Sequence, residues 1–443
     1  MESDLKRVLA AGPRTSRELQ AALGRSQSRV STALGALGTS VVRLRAGRTV
    51  RYALVRDAFD AGDRLPVRTV DRDGVSHPLL DVRPLAHGGF AVEVPPAETF
   101  RGWLGDSGDG LCRDLPWFLY DARPQGFVGR GIAARANRIE RRFPSDPRYW
   151  TAEHVGRYLV ADGGDLPGDL LVGRAAALGR RSAPRRYGSA DYPALAEAAL
   201  AGDVPGSSAG GEQPKFAVYS AERSAHVLVK FSPAGDDGPA RRWRDVLLTE
   251  HLAAATLREA GIPAAETRLL DLAGRRFLES ARFDRVGERG RASMFSLSSV
   301  DAAFTGEGEG WARAMATLRD RSLVRDGDVE AVALLERFGR RIGNTDMHLG
   351  NVSLAVDGDA FRPVPVYDMC TMALAPMRGE VRPLDPERLA VAARASADVG
   401  TGRAEASDDP AVELAHRFWA RVRSDARASD ELVALARRLL RTA

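Results

Sequence analysis

The sequence predicts an α+β protein: two lobes, the first containing sheet and the second mostly helical, behind a small basic N-terminal module. Three observations lead there. Strand-like alternation marks the chain from about residue 65, whereas amphipathic helical spacing prevails from about 311 onward. The first 57 residues hold eleven basic and four acidic side chains, a net +7, which leaves −2 for the other 386. The full 443 residues, 44% apolar and 28% charged, suffice for two or three domains with ordinary cores. The expected divisions are 1–57, 58–282 and 283–443. No apolar run reaches the ~18 residues of a membrane helix. The polar start Met1-Glu-Ser-Asp-Leu5 has no leader pattern, and Cys112 and Cys370 form no CxxC. These features predict a cytoplasmic chain with no membrane partner and no zinc site.

The basic module comes first. Leu5, Val8 and Leu9 recur at helical spacing, and Thr15-x-x-Glu18 is a capping box for a second helix that Gly24 stops. A third helix spans about 28–37 and buries Val30, Leu34 and Leu37. Val42-Arg-Leu-Arg and Val50-Arg-Tyr-Ala-Leu54 then alternate around Ala46-Gly-Arg48 as a hairpin. Three helices and a basic hairpin read as a winged helix-turn-helix. Arg25, Gln27, Ser28 and Arg29 would lead into a DNA major groove, and Arg43, Arg45, Arg48 and Arg51 would meet phosphates. A winged helix used for protein contact has the same pattern. DNA-bound modules of this type often dimerise, so a homodimer is one expected partner.

The strands Phe216-Ala-Val-Tyr219 and His226-Val-Leu-Val-Lys-Phe231 form an antiparallel hairpin. A flexible loop at 233–240 leads to a helix over 243–260, closed by Gly261 and Pro263. Leu414, Phe418 and Val422, then Leu432, Leu435 and Leu439, mark two C-terminal amphipathic helices.

Two rarities locate the chemistry. Of 64 basic residues only Lys6, Lys215 and Lys230 are lysine, so a lysine kept among arginines suggests a point charge that a planar fork cannot replace. Asparagine occurs only at 137, 344 and 351. Four elements then follow in order. Pro205-Gly-Ser-Ser-Ala-Gly-Gly-Glu-Gln-Pro-Lys-Phe216 is a small-residue loop before a strand. It is able to bring backbone N–H groups close to phosphate, although alone it also fits a surface turn. Lys230 lies near the end of an apolar strand and would bind ATP phosphates, with Glu250 on the next helix as its ion-pair partner. A solvated strand face and a solvated helix face are the plainer readings of those two. Asp346 and Asn351, in Arg341-Ile-Gly-Asn-Thr-Asp-Met-His-Leu-Gly-Asn351, have the Asp-x4-Asn spacing of a kinase catalytic loop. There a carboxylate takes the proton of the attacking hydroxyl and an amide oxygen holds Mg2+. Asp368 ends the strand of Phe361-Arg-Pro-Val-Pro-Val-Tyr-Asp368 as a further Mg2+ ligand or a simple turn residue. Cys370 reads as a small buried hydrophobe.

Together these segments resemble the HipA-like protein Ser/Thr kinases of bacterial toxin–antitoxin systems. Gly-Gly-Glu-Gln-Pro-Lys215, Lys230, Ala281-Arg-Phe-Asp-Arg285, the loop ending in Asn351 and Val-Tyr-Asp368 carry the resemblance over about 60–443. The fused winged helix and the segment from Pro116 to Arg130 are similar to the YjjJ subgroup. The resemblance implies a two-lobed, protein-kinase-like HipA fold with ATP and Mg2+ as cofactors. Asp346 would be the catalytic base, His348 a catalytic-loop residue, and Asn351 and Asp368 the metal ligands. Gly210, Gly211, Gln213, Lys215, Lys230 and Glu250 would form the nucleotide site, with Phe283 beside adenine and Asp284 near the ribose. Ser207 or Ser208 would be autophosphorylated. An unknown protein would be the substrate, and an antitoxin would be a partner unless the fused DNA-binding element replaces it. The chain departs from the family in one place: Gly350 stands where such loops often carry lysine. A nucleotide-sensing transcriptional regulator with an inactive kinase-like part is the alternative reading. A small-molecule phosphotransferase shares the Asp-x4-Asn logic.

Overall fold

The computed structural model describes all residues except 97, 99, 174–175, 177–182, 203–212, 378, 382–408 and 443. Ser207, Ser208, Gly210 and Gly211 therefore lie outside the described residues.

The N-terminal module comprises α1 (Glu2–Ala10), β1 (Arg14–Thr15), α2 (Ser16–Leu23), α3 (Gln27–Leu37), β2 (Val41–Ala46) and β3 (Thr49–Leu54). Its three strands lie in the order β1-β3-β2, all antiparallel. The capping box forms: Glu18 N–H donates to Thr15 Oγ1 at 3.2 Å, and Thr15 N–H donates to Glu18 Oε2 at 2.7 Å. Gly24 closes α2 at φ +63°, a conformation that favours glycine. Leu5, Leu9, Leu19, Val30, Ala33 and Leu37 make the core, with Val41, Tyr52 and Leu54 packed on it from the sheet.

The other face of that sheet is buried as well. Val42, Leu44 and Ala53 pack against Leu85 and Ala91 of the next domain. Ala86 N–H donates to the Leu54 carbonyl at 2.8 Å, and Arg56 N–H to the Pro84 carbonyl at 2.9 Å. The module is thus seated on the body of the protein.

The segment expected to be one sheet-containing lobe holds two separate sheets. The first, in the order β7-β6-β5-β4-β8, joins β4 (Leu65–Val70), β5 (Ser76–Pro84), β6 (Phe90–Glu93), β7 (Leu111–Cys112) and β8 (Leu170–Val172). Helices α4 (Gly126–Ile139) and α5 (Ala152–Asp162) accompany it. Its tie is to the helical lobe, through rings from both. Trp103 and Trp117 stack at 5.7 Å, Trp117 meets Phe295 edge-on at 5.0 Å, and Phe100 meets Phe361 at 5.0 Å. Such pairs add about 0.5–1.5 kcal/mol each beyond area burial.

The second sheet, in the order β12-β13-β11-β10-β9, joins β9 (Arg186–Tyr187), β10 (Lys215–Ser220), β11 (Ala225–Phe231), β12 (Thr267–Leu272) and β13 (Arg275–Ala281). Phe216, Val218, Val227, Val229, Phe231 and Phe277 pack with Tyr192 and Ala196 of α6 (Tyr192–Leu200) on one face. The other face is left for Lys215 and Lys230. Helix α7 (Gly238–Glu259) starts inside the stretch expected to be a loop, because the Asp237 carboxylate caps Ala240 N–H at 2.8 Å and Pro239 suits a first turn.

A two-strand ribbon, β14 (Arg285–Val286) and β15 (Gly290–Arg291), leads into the helical lobe. There β16 (Phe295–Ser296) pairs with β17 (Ser353–Asp357), and β17 with β18 (Ala360–Pro363). Around them pack α8 (Leu297–Phe304), α9 (Trp311–Asp320), α10 (Asp326–Arg341), α11 (Pro410–Ser424) and α12 (Asp430–Thr442). No described helix is long and apolar enough to cross a membrane.

Trp117, 4% exposed, joins the first sheet to the helical lobe. Trp117→Ala is expected to lower stability by about 3–5 kcal/mol in urea unfolding; a loss below 1 kcal/mol would mean that the ring cluster does not join the two parts.

Candidate functional site

The site is built where β10, β11, α7 and the segment after β18 converge. Lys215 and Lys230 are direct cross-strand partners, so their side chains share one face of the sheet. Both are 3% exposed. Lys230 Nζ donates to both oxygens of Glu250 at 2.8 Å and also reaches Asp368. Glu250 comes from the middle of α7. Asp368 follows a short extended segment pinned by Val366, whose N–H donates to the Pro263 carbonyl at 2.9 Å and whose carbonyl accepts from Ala265 N–H at 2.8 Å. At Asp368 the backbone turns through φ +55°, left-handed geometry that aspartate tolerates better than most residues.

The electrostatics follow from this packing. Burial works against the Lys230 charge, but Asp368 and Glu250 outweigh it and hold the ammonium well above its ordinary range. Burial also raises the Glu250 carboxyl, with Lys230 and Lys215 opposing. Asp368 lies below the usual carboxylate range because Lys230 and Lys215 overcome its desolvation.

The loop 344–351 lies next to this triad, and its backbone is tied by its own side chains. Asn344 Oδ1 accepts from Asp346 N–H at 3.1 Å, and Asn351 Nδ2 donates to the Asp346 carbonyl at 2.6 Å. His348 Nδ1 accepts from Gly350 N–H at 3.0 Å, while its Nε2 lies 3.9 Å from Asp346 Oδ1. Trp311 Nε1 donates to the His348 carbonyl at 3.0 Å. The Asp346 carboxylate is left half-exposed.

Glu250, Asp368 and Cys370 place ligand atoms within 4.8 Å of one another. They do not make a metal site by themselves. Lys230 holds both Glu250 oxygens, and burial, with Glu250 and Asp368 nearby, pushes the Cys370 thiol well up, so it stays protonated. Cys370 is 1% exposed, the small hydrophobe that the sequence suggests. The oxygen donors of Asp368 and Asn351 suit a hard cation such as Mg2+.

Sequence reasoning missed several site residues. Tyr367 O–H donates to the Gly350 carbonyl at 3.0 Å and shares a 2.7 Å hydrogen bond with Ser353 Oγ, so it ties the 344–351 loop and β17 to the segment bearing Asp368. Its ring lies 5.7 Å from Phe283, which stays at the cleft. Ala217 and Leu228 are cross-strand partners on the lysine face, both half-buried, and form an apolar strip beside the charges. Strand parity was the signal, had the register been counted from Lys215. Gln213, which the sequence reading does assign to the nucleotide site, is buried, and its Nε2 has no partner among the described residues.

Asp284, expected near the ribose, is held in a buried network with two arginines. It is 3% exposed and accepts from Arg282 at 2.9 and 2.7 Å, from Arg285 at 2.7 Å and from Gly168 N–H at 3.0 Å. Three of those donors converge on Oδ2, and Arg282 Nε alone reaches Oδ1. Burial opposes its charge, yet Arg282 and Arg285 hold the carboxyl far below its usual range. The residue locks the 163–169 loop to the entrance of the helical lobe.

Comparison with known proteins agrees with this geometry. A family model described as the HipA-like C-terminal domain matches residues 207–438, so the second sheet and the helical lobe with their shared cleft are of the HipA-like class. A model for the middle domain of YjjJ-like toxins matches residues 61–180. The chain is 36% identical to Toxin YjjJ of Escherichia coli (strain K12) over 97% of its own length and 94% of that protein. It belongs to the YjjJ-like toxins of the HipA-like family. A solved structure of HipA from Shewanella oneidensis MR-1, in complex with HipB and its operator DNA, shares the fold. The TM-score is 0.54 at 15% identity, covering 85% of this chain and 96% of that one.

Asp284→Asn is expected to cost about 3–5 kcal/mol at neutral pH, since two arginines lose their buried partner. A carboxyl with a depressed folded pKa adds stability above its unfolded value of ~3.9 and loses it as pH falls toward the folded value. The gap between wild type and Asp284→Asn in denaturant unfolding should therefore be constant near neutrality and shrink below about pH 4. A gap that widened with acid would contradict the buried-lock assignment.

Proposed function

We propose that this chain is an ATP- and Mg2+-dependent protein kinase acting on serine and threonine hydroxyls, Ser207 or Ser208 among them. One observation carries the reading: Lys230 spans Glu250 on α7 and Asp368 on the facing lobe, with the half-exposed Asp346 alongside. That is the equipment phosphoryl transfer needs, a fixed cation for the phosphates and a carboxylate at the acceptor. Lys230 and Lys215 bind the phosphates, Gln213 offers a buried amide donor, and Ala217, Leu228 and Phe283 border the base. Asp346 orients the acceptor hydroxyl and takes its proton as the oxygen–γ-phosphorus bond forms and the bond to the β-phosphate oxygen breaks, leaving ADP. Asn351 and Asp368 would hold Mg2+, which supplies charge neutralisation at the β- and γ-phosphates when bound.

We further propose that residues 1–57 are a winged helix-turn-helix that binds DNA in the cytoplasm. Arg25, Gln27, Ser28 and Arg29 are exposed at the start of α3, and Arg45 and Arg48 are exposed on the hairpin. None of these arginines has an ion pair among the described residues, which leaves the guanidiniums available for phosphates. The protein substrate is unidentified. A second copy of the chain or a separate antitoxin is a candidate partner, in line with the HipB and operator DNA bound to the Shewanella HipA.

Two experiments test these readings. Intact-mass spectrometry after incubation with Mg·ATP should show added phosphate on wild type, mapping to Ser207 or Ser208. Asp346→Asn should slow its appearance by about 10²–10⁴-fold while still binding ATP. Equal labelling of both would remove Asp346 as the base; no labelling with retained ATP binding would favour the nucleotide-sensing regulator. For DNA, fluorescence anisotropy across a salt series should give binding that weakens with salt. Arg45→Ala/Arg48→Ala should reduce the log–log slope by about 2; an unchanged slope would exclude the hairpin from the contact.

A further inference from the structure

Helices α11 and α12 pack together through Leu414, Phe418, Val422, Leu432, Leu435 and Leu439. Their outer surfaces leave an open groove of about 400 Å3, lined by His416, Ala420, Arg423, Arg437, Leu440 and Arg441. The chain is rich in paired arginines, and the neighbours here follow that habit: Arg417 is paired with Glu413, and Arg421 with Glu259 of α7. The groove differs. His416, Arg423, Arg437 and Arg441 are all exposed, and none has an ion-pair partner among the described residues. Arg437 and Arg441 are one turn apart on α12 and face the same side, with Arg423 contributed by α11. Three guanidiniums thus line one groove, an arrangement that favours an anion.

We infer that this groove is a binding site for a small oligophosphate anion. Guanidinium forks match phosphate oxygens two at a time, and three of them suit a chain of two or three phosphates better than a lone carboxylate. Half-buried Ala420 and Leu440 give the groove an apolar strip, on which an organic group attached to the phosphates rests. The site is separate from the catalytic cleft, and it does not depend on the proposed kinase activity. It lies on the hairpin that braces α7: Arg242 of α7 pairs with Glu431 of α12 at 2.7 Å, and Ser429 Oγ donates to Asp245 of α7 at 2.6 Å.

The test is isothermal titration of the full-length protein with sodium tripolyphosphate in the absence of Mg2+. Binding should weaken tenfold or more in Arg437→Ala/Arg441→Ala, the loss expected from removing charge-assisted hydrogen bonds of about 1.5–3 kcal/mol. Arg423→Ala should weaken it in the same direction. Lys230→Met, which disables the cleft, and Arg45→Ala/Arg48→Ala, which disables the hairpin, should each retain the groove component. Undiminished binding in Arg437→Ala/Arg441→Ala and in Arg423→Ala would overturn the assignment, as would loss of all binding in Lys230→Met or in Arg45→Ala/Arg48→Ala. Displacement of tripolyphosphate by random-sequence duplex DNA in wild type but not in Arg45→Ala/Arg48→Ala would place the anion at the N-terminal module instead.

Discussion

Taking Lys230, Glu250 and Asp368 out of water together is costly unless each finds its partner at hydrogen-bond distance. The three residues come from a strand, a helix and a loop spread over 138 positions of sequence. Their meeting therefore constrains every element around them. The sheet is backed behind Lys230 by the aromatic and valine face that packs on α6. Helix α7 is buried along most of its length, so Glu250 cannot retreat to solvent. The segment bearing Asp368 is pinned at Val366 and then at Tyr367. Removing one member leaves a buried charge uncompensated, which is why a site of this kind resists drift in any of its three supports.

A second constraint concerns the N-terminal module. The hairpin β2–β3 serves two cores: one face closes the three-helix core, and the other lies on the first sheet of the body. The buried Arg83 side chain reinforces the joint, donating to the Thr39 carbonyl and to Glu93 at 2.9 Å. The exposed arginines of α3 and of the hairpin tip consequently keep one orientation relative to the catalytic cleft. Under the proposed DNA-binding role, the head would present the body at a set angle, and two copies on neighbouring half-sites would have to satisfy both geometries at once.

Much of this was legible because single residues carried strong local signals. The capping box at Thr15 and Glu18 requires only four residues of chain. Lys215 and Lys230 stood out through the near-absence of lysine, and the register then placed them opposite one another. The clustered asparagines proved to be two ties within one loop. What escaped depends on distant partners. The network that holds Asp284 is one such case, since Gly168 donates to it across 116 positions. The division of 58–282 into two sheets follows from Trp103 and Trp117 meeting Phe295 and Phe361 of the other lobe, and nothing near those tryptophans announces it. The docked face of the hairpin was hidden because Val42 and Leu44 alternate as any wing would.

Gly350 shows how a departure from the family pattern is absorbed. A lysine there would place a cation on the catalytic loop. In this chain the His348 ring folds back over the Gly350 N–H at 3.0 Å, and a Cβ at position 350 would lie only 2.8 Å from that ring. Glycine thus lets His348 turn toward Asp346, and it leaves the Gly350 carbonyl to Tyr367. The positive charge of the cleft comes from the opposite wall, where Lys215 faces Lys230 across the strands and acts on both Glu250 and Asp368. Two ammonium groups then balance two carboxylates within the buried site. Asp368 and Asn351 would hold a metal ion, which would add positive charge beside the phosphates, while Lys230 keeps its place through both oxygens of Glu250.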